Sequence, residues 1–191
     1  MKNSQKLKLK ATDILGRRTL IIGESGSGKT KLAARLFKEL TLLIRPERIT
    51  VVDLAPRRVG RIGGKITDYA EVSSKVKYLS PETVYTPRLT GESREQVLHL
   101  ARLNRKNMEP LLNRFIQSPT EALIVNDITL YLHVGKLEKV LDCVRVARTF
   151  LATAYYGSKL ANDFRAGISS KEERQTDRLA AFMDLTVKID H

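Results

Sequence analysis

Short apolar segments alternate along the chain with longer segments in which apolar residues recur at helical spacing. The predicted strands are 19–22, 49–53, 76–79, 122–127, 149–155 and 185–189. The predicted helices span about 29–43, 93–115, 137–144 and 170–183. The strong strands are apolar without polar alternation, which is typical of strands that are buried on both faces. Strands that alternate with helices predict a three-layer α/β domain with a mostly parallel central sheet.

Local signals give expected ends for two of the helices. Ser93 followed by Gln96 is a capping box, which predicts a helix start. Pro110 is expected to kink or split that helix, because proline lacks the backbone N–H that the helix needs. Ser170 and Glu173 predict the start of the last helix in the same way.

The segment from Leu54 to Gly91 interrupts the alternation of strands and helices. It has no long apolar period and contains Gly60, Gly63 and Gly64 beside a cluster of Arg and Lys residues. We therefore expect one domain over residues 1–191 with a loop-rich insertion at about 54–91. The basic part of this insertion fits three roles: a loop that closes over a second anionic substrate, a contact to a phosphate backbone, or a solvated loop.

The composition narrows the class of protein. Hydrophobic residues make up 42% and charged residues 29% of 191 residues, which argues against disorder. With one cysteine, Cys143, the chain has no internal disulfide. No apolar run reaches membrane-spanning length, and residues 1–6 do not resemble a signal peptide, so we expect a cytoplasmic protein without a membrane span.

The net charge suggests an anionic partner. Lys and Arg number 34 against 21 Asp and Glu, which gives +13. Part of the excess lies in the alternating segment Lys6 to Lys10, which predicts a short edge strand with lysines facing water. The alternative is a charge-rich, solvated surface.

Residues 23–30 carry the most specific chemical signal. They read Gly23, Glu24, Ser25, Gly26, Ser27, Gly28, Lys29 and Thr30, which matches the phosphate-binding P-loop pattern. Glycines allow backbone N–H groups to turn towards phosphates, and the helix that follows adds its N-terminal dipole. Lys29 would reach the β- and γ-phosphates, and the Thr30 hydroxyl would ligate Mg²⁺.

This segment resembles the P-loop NTPase superfamily, and the order of the elements resembles its RecA-like division. That division has the spatial strand order 5-1-4-3-2, with the metal-binding acid at the end of its third core strand. Asp53 and Asp127 each end a predicted strand, so both are candidates for this acid. If strand 76–79 belongs to the insertion, the resemblance favours Asp127 for the metal over Asp53. Asp53 would then orient water or substrate, with a loop-anchoring role as the alternative.

The chain departs from the RecA-like pattern at one position, and it also shows a weaker resemblance to a second family. Ile128 stands where RecA-like ATPases commonly carry a glutamate, so Glu24 or Asp53 would have to activate water. The segment from Asp127 to Leu132 is similar to a stretch of the adenosylcobinamide kinases. Those enzymes use a reactive histidine after their second strand, and this chain has no histidine between Asp53 and His99.

Other side chains fit supporting roles implied by the same resemblance. Tyr155, Tyr156 or Thr153, on or at the end of the strand expected beside the P-loop strand, would sense phosphate. Arg165, Arg174 and Arg178 are candidates for an arginine finger, in the same chain or in a neighbouring copy. The alternatives are packing at the sheet edge for the two tyrosines and solvated surface positions for the arginines.

The sequence thus favours an ATP-binding, Mg²⁺-dependent P-loop NTPase that hydrolyses the β–γ phosphate bond. ATP is preferred to GTP because the guanine-binding pattern Asn-Lys-x-Asp is missing. Alternatives are a kinase whose acceptor binds the 54–91 segment, a nucleic-acid-stimulated ATPase, and a nucleotide switch without turnover. A second anionic partner and an oligomer are compatible with all four.

Overall fold

The computed structural model describes residues 9–58, 64–160 and 162–189. These residues form a six-stranded sheet with the order β3-β2-β4-β5-β1-β6. Its strands are β1 (Arg18–Gly23), β2 (Ile49–Asp53), β3 (Lys77–Leu79), β4 (Ala122–Asn126), β5 (Thr149–Tyr155) and β6 (Leu185–Ile189). Every neighbouring pair is parallel.

The strand order confirms the predicted fold class. Strand β3 is short and lies at the edge of the sheet beside β2. Without it, the remaining five strands numbered in chain order read 5-1-4-3-2 from the β6 edge. The chain therefore has a three-layer α/β P-loop NTPase fold with RecA-like strand order, in which β5 lies between the P-loop strand β1 and strand β4.

Helices cover both faces of the sheet. They are α1 (Ala11–Ile14), α2 (Lys29–Leu40), α3 (Pro87–Thr90), α4 (Arg94–Gln117), α5 (Thr129–Leu132), α6 (Leu137–Val146) and α7 (Ile168–Ala180). Strand side chains alternate between the two faces: Leu20 packs in the cluster with α4 to α7, and Ile21 packs with α1 and α2. Among the described residues, every helix is too short or too polar to span a membrane.

Two helices differ from their predicted form. Helix α4 begins after Ser93, whose hydroxyl accepts from the Gln96 N–H as predicted, but the Gln96 side chain accepts from the Glu92 N–H. Pro110 does not split this helix, which continues for 24 residues. Pro110 is exposed, and so is Lys106, whose carbonyl the missing N–H would have bonded.

Helix α7 begins at Ile168, before the predicted cap at Ser170. Gly167 is its N-cap residue with φ of 76°, a conformation that favours glycine. The Asp163 carboxylate accepts from the Ser169 N–H and supplies the side-chain cap. At the N-terminus, Leu9 and Lys10 lie outside any strand, and the rest of the strand predicted for Lys6 to Lys10 falls outside the described residues.

Candidate nucleotide-binding site

The P-loop connects the end of β1 to the start of α2, as its chemistry requires. Gly26 and Gly28 have φ of 77° and 95°, which turns the backbone in a way that other residues resist. Gly23 has φ of 154°, and a β-carbon there would collide with the carbonyl oxygen of Ile189 on β6. The glycines thus fit the loop against the sheet and leave the first turn of α2 facing a cavity.

Lys29, the P-loop lysine, is folded back onto its own loop. Its Nζ donates to the carbonyl oxygens of Gly23 and Glu24 at 2.8 and 2.6 Å. Burial lowers the pKa of Lys29, while the negative charges of Asp127, Glu24 and Glu172 act in the opposite direction. An ammonium group has three donors, so the two carbonyls leave one for a phosphate oxygen.

The hydroxyl of Thr30 lies against strand β4. Its Oγ1 donates to Asn126 Oδ1 at 3.2 Å, and Thr153 Oγ1 on β5 donates to the same oxygen at 3.0 Å. The Asn126 amide nitrogen in turn donates to Asp53 Oδ1 at 2.9 Å. Asn126 on β4, which no sequence motif marks, therefore connects Thr30 to strand β5 through Thr153 and to strand β2 through Asp53.

Asp127, the predicted metal-binding acid, follows Asn126 directly at the end of β4. Its φ of 59° is unusual for a residue other than glycine. Its Oδ1 accepts from the Thr129 hydroxyl at 2.8 Å, and its side chain lines the same cavity as Lys29 and Thr30. Burial raises the pKa of Asp127, although the Thr129 hydrogen bond and the charge of Lys29 act to lower it.

Asp53 is fully buried at 0% exposure, and its carboxylate accepts three hydrogen bonds. The donors are the Ile66 N–H and the Tyr78 hydroxyl, both at 2.7 Å, and the Asn126 amide. These bonds hold the insertion against the sheet, which favours the loop-anchoring alternative. The water-orienting role of Asp53 stays a prediction.

Glu24 contacts the loop that follows β5. Its Oε1 accepts from the backbone N–H groups of Ser158 and Lys159 at 2.7 and 3.3 Å. Burial acts to raise the pKa of Glu24, but the hydrogen bonds outweigh it, and the pKa is lowered. Glu24 thus ties the P-loop to this neighbouring loop, and its role in activating water stays a prediction.

An arginine that sequence reasoning missed lies in the same region. Arg88, on α3 of the insertion, forms a two-pronged ion pair with Glu172 of α7 at 2.9 and 3.0 Å. Its guanidinium carbon lies 4.9 Å from the centre of the Tyr155 ring. His133 Nε2 contacts Glu172 at 2.7 Å. No local motif marks Arg88, because its partners lie far away in the sequence.

These elements enclose a cavity of about 660 Å³ at the carboxyl ends of the parallel strands. Its walls include Gly26, Gly28, Lys29, Thr30, Arg88, Asp127, Thr153 and Tyr155. Ligands of open α/β sheets bind at this edge, where the strand order reverses. The volume is within the range of small-molecule sites.

The three predicted arginine fingers occupy other positions. Arg174 and Arg178 are exposed, and Arg178 lies 3.7 Å from Glu138. Arg165 has φ of 59° in the loop before α7. Within the described part of the chain, none of them lines the cavity around Lys29. A role in a neighbouring copy stays a prediction.

The donor set of the cavity fits Mg²⁺. The Thr30 hydroxyl and the Asp127 carboxylate, which both line the cavity, are hard oxygen ligands. The described residues contain no cluster of three or more His, Cys, Asp or Glu that could hold a metal. Mg²⁺ commonly binds one or two carboxylates together with substrate phosphates, so this set is sufficient.

Comparisons with known proteins give distant similarities only. No protein-family model and no curated protein sequence matches the chain. The flagellar accessory protein FlaH from Methanocaldococcus jannaschii superposes with a TM-score of 0.45 at 15% identity, over 82% of this chain and 68% of FlaH. The Pif1 helicase from Candida albicans gives 0.42 at 16% identity, over 95% of this chain but 38% of the helicase.

A third solved structure, the protein PH0250 from Pyrococcus horikoshii OT3, is 10% identical. It gives a TM-score of 0.42 over 95% of this chain and 88% of its own. Similarities this low transfer no activity. The site is therefore interpreted from its own geometry.

Proposed function

We propose that this chain binds ATP with Mg²⁺ and hydrolyses the β–γ phosphate bond. One observation carries the proposal: a single cavity collects a glycine-rich loop, Lys29, Thr30 and the Asp127 carboxylate. Backbone N–H groups, a lysine, a hydroxyl and one acid are the groups that a triphosphate and its metal require.

The P-loop would hold the β- and γ-phosphates, and Lys29 would turn its donors from the loop carbonyls to the phosphate oxygens. Thr30 and Asp127 would hold Mg²⁺, which neutralises charge that develops on the phosphates. Asn126 would keep the Thr30 hydroxyl in place through the 3.2 Å hydrogen bond. Most of the rate would come from positioning and charge neutralisation.

Substitution of Lys29 tests this proposal. Lys29→Ala removes the phosphate-binding ammonium, so we expect no measurable phosphate release and weaker nucleotide binding. Lys38→Ala is the matched control, because Lys38 is exposed on the same helix and should leave turnover unchanged. Full turnover in Lys29→Ala would refute the assignment.

A kinase is the second candidate, and a neighbouring cavity favours it. This cavity of about 920 Å³ is built by the insertion and shares Pro56, Arg58, Thr86 and Leu89 with the cavity around Lys29. Arg57 and Lys65 add positive charge to its walls. An acceptor bound there would replace the attacking water.

Product analysis separates the two reactions. With γ-labelled ATP and candidate acceptors, hydrolysis releases labelled inorganic phosphate alone. A labelled organic product would establish the kinase.

Basic side chains on α4 support nucleic acid as the second anionic partner, because Arg102, Arg105 and Lys106 line one surface cavity. Arg105, which is paired with Glu109, and Arg174 of α7 both lie close enough to Lys171 for their charges to act on its ammonium group. Burial lowers the pKa of Lys171, and the charges of Arg105 and Arg174 lower it further. Binding that falls steeply as salt rises, together with faster phosphate release, would support this partner.

A further inference from the structure

The position of Arg88 suggests a role beyond holding the insertion in place. Arg88 and Lys29 approach the same aromatic ring from different elements of the fold. Lys29 Nζ lies 6.0 Å and Arg88 Cζ 4.9 Å from the centre of the Tyr155 ring, so the two atoms are at most about 10.9 Å apart. Both side chains line the cavity that also contains Thr30 and Asp127. A triphosphate on the P-loop would therefore share its cavity with a second cation, supplied by a different element of the fold.

The side chain of Arg88 is unusually well fixed for a surface segment. It is 6% exposed, and Glu172, its partner, is 4% exposed. His133, at 0% exposure, holds the same carboxylate from a third element. The Tyr155 ring supports the guanidinium from a further side. Such a network fixes the orientation of a side chain before any ligand arrives.

The ion pair with Glu172 occupies only some of the N–H donors of the Arg88 guanidinium group. Arginine has five N–H donors, and the two bonds to Glu172 use two of them, which leaves three for other acceptors. A planar fork with remaining donors suits phosphate oxygens, and it cannot lose its charge near neutral pH.

We propose that Arg88 donates to the γ-phosphate from within the same chain, with Glu172 as the residue that positions it. This inference rests on the proposed function, because it needs a triphosphate in the cavity around Lys29. It assigns to α3 of the insertion the cation that the sequence analysis placed on Arg165, Arg174 or Arg178. The competing explanation is that the pair only clamps the insertion to α7.

The test must separate contact with phosphate from support of the fold. A single substitution would leave one buried charge without its partner and destabilise the protein strongly. The double variant Arg88→Met with Glu172→Gln removes both charges, keeps similar volumes and retains an acceptor for His133. Its melting temperature should therefore stay close to that of the unmodified protein.

Three measurements follow on the folded double variant. We expect kcat for ATP to fall about 10²- to 10³-fold, as for the loss of one transition-state donor. We expect the preference for ATPγS over ADP in equilibrium binding to fall tenfold or more. The affinity for ADP should stay within about threefold, because ADP lacks the γ-phosphate.

The control is the exposed pair Arg145 and Asp142 on α6, replaced by Met and Asn, which should change none of the three quantities. A double variant of Arg88 and Glu172 that melts normally and keeps both kcat and the ATPγS preference within threefold would overturn the proposal. If that variant does not fold, Arg88→Lys decides. It retains a charge but not the fork, so we expect a drop in kcat of at least tenfold, and unchanged kcat would overturn the proposal.

The proposed hydrolysis of ATP and the proposed role of Arg88 can be refuted separately. If the unmodified protein releases no phosphate from ATP, hydrolysis is wrong, and the ATPγS preference still tests Arg88. If it releases phosphate and the double variant does so equally fast, only the role of Arg88 is wrong.

Discussion

Asp53 is expected to be one of the main polar supports of the fold. Its carboxylate sits at the end of β2 and accepts from Ile66, Tyr78 and Asn126. The perturbation is Asp53→Ala, which removes the acceptor and leaves the donors in place. The variant thus measures how strongly the insertion and Asn126 depend on this group.

The magnitude follows from the burial of the donors. The Ile66 N–H and the Asn126 amide are buried, whereas the Tyr78 hydroxyl is only partly buried and can reach water. A buried donor without a partner costs about 1–3 kcal/mol. We therefore expect Asp53→Ala to lower the free energy of unfolding by roughly 2–6 kcal/mol. Domains commonly have about 5–15 kcal/mol in total, so this is a large share.

Equilibrium unfolding in urea, followed by far-ultraviolet circular dichroism, measures this change. The chain has no tryptophan, so the dichroism of the helices is the practical signal. Tyr78→Phe is the matched control, because it removes one partly buried donor to the same carboxylate. It should lower the free energy of unfolding by no more than about 3 kcal/mol, the upper value for one hydrogen bond to a charged group. A loss below about 1 kcal/mol in Asp53→Ala would refute the anchoring role.

Three further predictions concern the loop, the acid and the cysteine. Gly23→Ala should lower the stability much more than Gly16→Ala in the same urea assay. Both substitutions strain the backbone, but only the β-carbon at position 23 also clashes with Ile189, because Gly16 faces open space. Equal losses would contradict this. Asp127→Asn should raise the urea midpoint at pH 7 and weaken Mg²⁺-dependent ATP binding. The pKa of Asp127 is raised in the folded state, which means that its negative charge destabilises the fold. The stability gained by Asp127→Asn should therefore shrink as pH falls through that pKa, where the native carboxylate becomes protonated. A gain in the urea midpoint that persists unchanged at low pH would contradict this. Cys143, whose pKa burial raises to about 12, should react with a thiol reagent only after unfolding; rapid labelling of the native protein would rule this out.

The apolar pattern was sufficient to predict the central strands, because most of their residues are buried on both faces and are apolar. The turn from β1 into α2 at residues 23–30 was also predictable, since its glycines act on the local backbone. The start of α7 was not. Its cap comes from Asp163, upstream of the helix, and from the left-handed conformation of Gly167.

The details of the site depended on tertiary structure. Two adjacent residues at the end of β4 have different surroundings: Asn126 contacts Thr30, whereas Asp127 lines the cavity. An apolar run that ends in Asn and Asp does not reveal this choice. Arg88 has even less signal in the sequence, because Glu172 and Tyr155 reach it only through the fold.

A crystal structure with Mg²⁺ and a non-hydrolysable ATP analogue would test the central claim most directly. The proposed function predicts phosphates on the backbone of residues 23–30, Lys29 on the β- and γ-phosphates, and Mg²⁺ between Thr30 and Asp127. A nucleotide bound elsewhere, or phosphates that do not contact Lys29, would contradict it.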